Sequence, residues 1–215
     1  IYEKLEDKDG PWYQFIQDMK HNLNDNARRK LIGNFLLRAG LFAKPKRDRL
    51  RRDLDQQIPF TVLMDPTSAC NLECIGCWAN DYAKTDSLSF DLMERVIQEG
   101  KELVIYVYIL SGGEPLVRKK DIIRLCEKHP DCFFLAFTNG TLIDEEFARE
   151  VARVGNFAPA ISIEGFEEMT DFRRGKGTYQ KVLRAMDIMR EHGNLFGFSA
   201  TYHRRNTEVM CSDKF

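Results

Sequence analysis

From Pro59 onward the sequence alternates between two periodicities, and that alternation limits the possible folds more than any other feature. Short apolar runs at 60–64, 103–110, 132–137, 158–163 and 195–202 read as strands. Between them, apolar residues recur three or four positions apart. Leu92, Met93, Val96 and Ile97 follow Ser89, a residue type suited to an N-cap. Ile122, Ile123 and Cys126 precede the helix-stopping Pro130. Phe147, Val151 and Val154 precede Gly155, a C-cap candidate, and Val182, Met186 and Met189 precede Gly193. Five β-α repeats with short connections predict a parallel sheet with right-handed crossovers, either a partial barrel or a doubly wound layer. Both architectures place ligands at the carboxyl ends of the strands.

The chemistry-bearing residues fall at those ends. After the first strand and an Asp65-Pro66 turn, Cys70, Cys74 and Cys77 form a Cys-x3-Cys-x2-Cys pattern within CNLECIGCW. Thiolates suit zinc or iron–sulfur clusters. Three of them leave one metal position open. The alternative is a closed zinc site completed from elsewhere, by Cys126 or His129. The second strand ends in Ser111-Gly112-Gly113-Glu114-Pro115. Paired glycines allow close backbone approach to a ligand, and a carboxylate there accepts hydrogen bonds from an ammonium group. Pro115 pushes Glu114 away from helical angles. A tight turn with an exposed Glu is the plainer reading of that segment.

The cysteine loop followed by GGEP, in this order and separation, resembles the radical S-adenosylmethionine (radical SAM) superfamily over roughly residues 58–205. The resemblance implies an α/β fold, a partial (β/α)6 radical SAM barrel with about five of its parallel β-α units present. It implies a [4Fe–4S] cluster on Cys70, Cys74 and Cys77, with S-adenosylmethionine chelating the open iron. It also implies reductive cleavage of that cofactor to a 5′-deoxyadenosyl radical, which abstracts hydrogen from a substrate. Gly112, Gly113, Glu114 and Pro115 would hold the methionine end. Thr138, Asn139 and Gly140 close the third strand as in many members. Ser162 and Glu164 share a strand face and resemble the stretch that meets the carboxylate or ribose. Arg173 or Arg174 would pair a carboxylate bidentately, unless the segment is a surface loop. Where members often carry an aromatic residue before the third cysteine, this chain has Gly76, so Trp78 either supplies the stacking surface for adenine or belongs to the core. Peptide or cofactor maturation is the favoured reaction, lipid modification a lesser one, and a flavodoxin or ferredoxin the implied electron donor. The contrasting reading is a non-catalytic zinc or iron–sulfur scaffold that acts through partners.

Residues 1–57 stand apart from the core at 58–215 as a helical, basic N-terminal segment. Trp12, Phe15 and Ile16 suggest a short helix, and Leu31 and Phe35 mark a stronger one. Between Arg28 and Arg52 there are ten Lys or Arg against one acidic residue, Asp48. That run is either a surface for peripheral membrane contact or an anionic partner, or a solvated face on a helix packed against the core. With 43% hydrophobic and 30% charged residues and a net charge of −1, nothing points to nucleic acid. Six cysteines in 215 residues are too few for a disulfide scaffold, which suggests a reducing cytoplasm. Phe133, Phe134 and Phe137 read as core, Cys126 as an inert buried thiol, and His203 as a loop residue or an acid–base group. The chain starts at Ile1 and stops after five of the family's six units, so a piece of a longer protein is expected. An open sheet edge near 195–202, low activity and aggregation would follow from that.

Overall fold

The computed structural model describes residues 7–81 and 83–215, so the first six residues of the N-terminal segment lie outside the described residues. Five strands form one parallel sheet: β1 (Thr61–Met64), β2 (Val107–Leu110), β3 (Phe133–Thr138), β4 (Phe157–Ser162) and β5 (Gly197–Ser199). The strand order is 1-2-3-4-5, without reversal. Right-handed crossovers between successive neighbours put every connecting helix on the same face. The sheet is therefore part of a barrel, which resolves the choice against a doubly wound layer. β1 and β5 are its two edges.

The crossover helices start and stop where the capping residues direct. Ser89 accepts a hydrogen bond from the Leu92 amide (3.1 Å) at the start of the helix Phe90–Glu102. Asp144 does the same for Phe147 (2.8 Å) ahead of Glu145–Val154, which ends in Gly155 at φ +73°. Lys119–Lys128 and Thr178–Glu191 complete the outer layer. Between helices and sheet, Tyr108 is fully buried and stacks on Phe134. Its hydroxyl donates to the Ile97 carbonyl (2.9 Å), so the one polar atom it buries is satisfied.

Two strands are shorter than their apolar runs. In 103–110 the preceding helix extends to Glu102, and Val104 turns the chain at φ +63° before β2 begins at Val107. In 195–202 only Gly197–Ser199 pairs with β4. A helix at Glu167–Arg174 occupies part of the stretch read as a loop.

The N-terminal segment runs beneath the amino ends of the strands, from β5 back to β1. After a first helix (Pro11–His21), a continuous helical stretch covers Asp25–Lys30, a wide-turned π-helical section Leu31–Phe42, and Ala43–Leu54. Asn24 Nδ2 donates to the Gly193 carbonyl ahead of β5 (3.0 Å), and Asn26 Nδ2 to the Arg153 carbonyl ahead of β4 (2.6 Å). Asn34 Nδ2 bonds the Pro130 and Cys132 carbonyls ahead of β3 (both 2.9 Å). Arg38 lies over the Tyr106 ring ahead of β2, and Arg47 over Phe60 ahead of β1. These contacts tie the segment to the core from Asn24 to Arg47.

Candidate functional site

At the opposite, carboxyl end of the strands lies a cavity of about 270 Å³. Cys70, Cys74 and Cys77 line it, together with Gly112, Gly113, Glu114, Thr138, Asn139, Ser162 and Arg173. The sheet brings these together from segments more than a hundred residues apart. Trp78 is 59% exposed and lines the same cavity, so it is not a core residue.

The cysteine loop makes few hydrogen bonds within itself and is held from three sides. From β2, the Gly113 amide donates to the Thr67 carbonyl (2.9 Å) and the Glu114 amide to the Ala69 carbonyl (2.8 Å). From β3, Asn139 Nδ2 donates to Asn71 Oδ1 (2.8 Å) and reaches Cys70 Sγ at 4.0 Å. From the helix Glu167–Arg174, the Arg173 carbonyl accepts from the Ile75 amide (2.8 Å), and Arg174 Nη1 approaches Cys74 Sγ at 3.9 Å. The glycine pair has a definite steric role. A Cβ on Gly113 would lie 2.3 Å from the Ala69 carbonyl oxygen, and one on Gly112 2.7 Å from that of Thr67. The close backbone approach expected of these glycines is to the chain leading into Cys70.

Glu114 is 1% exposed. Its Oε1 accepts from Thr138 Oγ1 (2.6 Å) and the Leu116 amide (2.9 Å), and its Oε2 from the Asn139 amide (2.7 Å). This excludes the exposed-turn reading. Burial pushes its carboxyl above the ordinary range, against the pull of those three donors. A carboxylate offers about four lone-pair sites, so one remains. Among the described residues no Lys or Arg forms an ion pair with it. Pro115 is buried and starts the turn Pro115–Arg118, outside the cavity lining.

Glu164 is placed differently from the expectation that it faces a ligand. It is fully buried and absent from the cavity lining. Arg174 grips it with Nε on Oε2 (2.5 Å) and Nη2 on Oε1 (2.8 Å), and Arg173 Nη1 adds a contact to Oε1 (3.1 Å). Its carboxylate orients two guanidinium groups, and these line the cavity instead. The reason is the helix Glu167–Arg174, which folds both arginines back over the end of β4. Arg174 also lines the cavity, and Ser199 and Thr201 are further lining residues; Thr201, rather than His203, represents the loop after β5. Phe137 also departs from expectation: it is 41% exposed and lines the cavity from the concave face of the sheet.

The donor set fits an open iron–sulfur cluster better than a closed zinc ion. Cys126 and His129 sit at the amino end of the sheet, where Asn156 Nδ2 bonds both their carbonyls, so neither can join the three cysteines. Among the described residues, no three Cys, His, Asp or Glu side chains converge on a single-ion site. The three thiols instead ring a shared space. Burial pushes the Cys70 and Cys74 thiols up, and the Arg174 guanidinium pulls Cys74 back. The buried carboxylate of Glu114, in the same cavity and with one acceptor site left, suits the ammonium group of an amino-acid ligand.

Comparison with known proteins agrees with this chemistry. The model of the radical SAM superfamily matches residues 64–207. That family uses a [4Fe–4S] cluster and S-adenosylmethionine. The chain is 33% identical over 155 residues to Fe-coproporphyrin III synthase of Methanosarcina barkeri, covering 67% of this chain and 37% of that protein. It is 29% identical over 167 residues to the serine-type anaerobic sulfatase-maturating enzyme of Klebsiella aerogenes, covering 68% and 40%. Among solved structures, Streptococcus suis SuiB bound to S-adenosylmethionine superposes with a TM-score of 0.66 over 92% of this chain and 45% of that one, at 16% identity. The structure of anSMEcpe with bound AdoMet gives 0.56 over 65% and 44%, at 24% identity. At these identities the structural likeness shows the fold alone. The chain spans less than half the length of these curated relatives.

Proposed function

Because the chain belongs to the radical SAM superfamily, we propose that it carries the cofactor-cleaving half-site of an enzyme that matures a peptide or a cofactor by hydrogen abstraction. Cys70, Cys74 and Cys77 would hold the [4Fe–4S] cluster. When bound, the cluster supplies the electron that cleaves S-adenosylmethionine to a 5′-deoxyadenosyl radical. The chain's own residues bind and orient. Glu114, fixed by three donors with one acceptor site left, takes the cofactor's ammonium group. Gly112 and Gly113 hold the cysteine loop against β2. Arg173, oriented by Glu164, offers its remaining N–H donors to the cofactor's carboxylate. Thr138 and Asn139 fix Glu114 and the loop, Ser162 lines the ribose side, and Trp78 offers an exposed ring for adenine. Residues 58–215 form the catalytic core and 1–57 its helical base. A flavodoxin or ferredoxin would deliver the electron, in the reducing cytoplasm.

The observation that carries this reading is three thiols facing one cavity with a buried carboxylate that forms no ion pair among the described residues. Relatives named as synthases and maturating enzymes support the maturation class. Anaerobic reconstitution with iron and sulfide tests it. The expected product is a brown protein with about four irons that releases 5′-deoxyadenosine under reduction, and both properties disappear in C70A, C74A or C77A. A colourless protein with one tightly bound zinc and no 5′-deoxyadenosine would overturn it.

A further inference from the structure

The underside of the molecule carries an apolar surface that the site does not use. In the π-helical stretch Leu31–Phe42, i→i+5 bonding widens the turn, so residues four to five apart share a face. Asn34 and Ala39 form the buried face. Opposite them, Ile32, Leu36 and Leu41 are 45%, 51% and 59% exposed, and Phe42, 63% exposed, flanks them at the end of the stretch. Three large apolar side chains on one solvent-facing ridge, with a fourth beside it, are unusual for a surface with no partner. The helix that continues from it, Ala43–Leu54, is strongly basic: Lys44, Lys46, Arg47, Arg49, Arg51 and Arg52 against Asp48 and Asp53. Among the described residues Lys46 and Arg52 form no ion pair.

We propose that this face docks on an anionic lipid surface, with the ridge inserted at the headgroup level and the basic helix against the charged headgroups. Three features favour lipid over other occupants. The apolar ridge and its cations are continuous on one helical stretch, the arrangement that lets a helix lie in an interface. A second copy pairing face to face would bring two basic helices into one interface, which like charge disfavours. The cavity lies at the other end of the strands, so docking leaves it open and recruits the protein without occluding the site. Among the described residues no helix is long and apolar enough to cross a membrane, so contact would be peripheral.

Co-sedimentation of the whole chain with phosphatidylcholine vesicles, with and without phosphatidylglycerol, tests this. Binding is expected only to the anionic vesicles and should weaken as salt rises. K46Q/R52Q should lower the partition coefficient roughly fivefold per cation removed. L36Q/L41Q should abolish binding even at low salt, with circular dichroism and melting unchanged because both positions are solvent-facing. Absence of binding to anionic vesicles would overturn the proposal. So would binding that L36Q/L41Q leaves intact, or a concentration-dependent dimer that L36Q/L41Q dissolves, which would assign the ridge to a second copy.

Discussion

Replacing Gly113 by alanine isolates the packing of the cysteine loop from every ligand-binding role. Gly113 does not sit at positive φ, so alanine is conformationally allowed there and the clash alone is tested. The new Cβ would meet the Ala69 carbonyl oxygen at 2.3 Å and that of Ser68 at 2.4 Å. Both are backbone atoms and cannot swing aside. The loop must retreat by roughly 0.7 Å to reach the 3.0 Å below which real Cβ contacts essentially never fall. That movement stretches the bonds from Gly113 to Thr67 and from Glu114 to Ala69, now 2.9 and 2.8 Å, to the edge of hydrogen-bond range. Two lost bonds cost about 1 kcal/mol each, and residual overpacking adds about 1 kcal/mol or more. A total of about 3 kcal/mol lowers Tm by roughly 6–12 °C for a chain of this size. The assay is thermal melting of the apo protein alongside iron content after reconstitution. Gly177→Ala serves as the control: Gly177 has φ +80° but open space around it, so it loses only the conformational term, about 1–2 kcal/mol. If G113A melts like the parent and retains full iron, the steric account of the glycine pair is wrong.

Glu164→Ala leaves Arg174 buried without its counter-ion and should cost about 3–5 kcal/mol, while E164L/R174M, which removes both members of the bidentate pair and leaves only Arg173 without its partner, should cost less; equal Tm losses for the two would refute the pairing. Asp144 gives a pH signature. Burial pushes its carboxyl up, but Lys119 and the Phe147 amide together hold it below the usual 3.8. Its ionised form therefore contributes stability in full above the unfolded value and loses it as pH falls through the lower folded value. The Tm gap between the parent and D144N, whose asparagine can still cap, should be constant above about pH 5 and close below about pH 4; a gap independent of pH would contradict this. Thiol labelling of the apo protein at pH 8 should modify exposed Cys211 readily. It should spare Cys126 and Cys132 until the chain unfolds, since burial pushes both thiols up, Cys132 to about 12; rapid labelling of either in the folded protein would contradict the packing.

The sequence carried the sheet and the helices wherever a cap residue and a long enough period coincided. Ser89 and Gly155 marked helix ends because capping is a local matter. Apolarity alone could not say where a helix hands over to a strand, so 103–110 read as one strand although Val104 turns the chain within it. The helix Glu167–Arg174 had signals of its own, with Glu167 and Glu168 in the first turn, Arg173 and Arg174 in the last, and Gly175 beyond. Its eight residues were too few for a period. Missing it hid the fate of Glu164. A carboxylate at the end of β4 reads as ligand-facing until the helix that follows folds two arginines, nine and ten residues on, back onto it. Phe137 was lost for a related reason: in a partial barrel the concave face stays open, so an apolar residue on a central strand need not be core.

The geometry of the cysteine loop follows from where its hydrogen bonds go. Within the loop, the Cys77 amide bonds the Cys74 carbonyl and the Asn80 amide that of Cys77 (both 3.2 Å), and Asn80 Nδ2 bonds the Cys74 carbonyl (2.9 Å). Those bonds fix the turn at Cys74–Asn80 but leave Cys70 undetermined relative to it. Cys70 is set instead by β2 through Ala69 and by β3 through Asn139, while Cys74 and Ile75 are set by Arg174 and Arg173. The spacing of the three thiols is thus a property of the sheet as well as of the loop. Motif residues on three separate strand ends act on the same loop, and each does so before any cofactor is bound. Their loss should therefore appear first in cluster retention and only afterwards in cofactor affinity. Glu114 is the exception, because its backbone amide holds the loop while its side chain faces the cavity. In Glu114→Gln the loop bond through the amide survives, but the new side-chain NH₂ faces the Asn139 N–H, so cofactor binding should fall with the cluster retained.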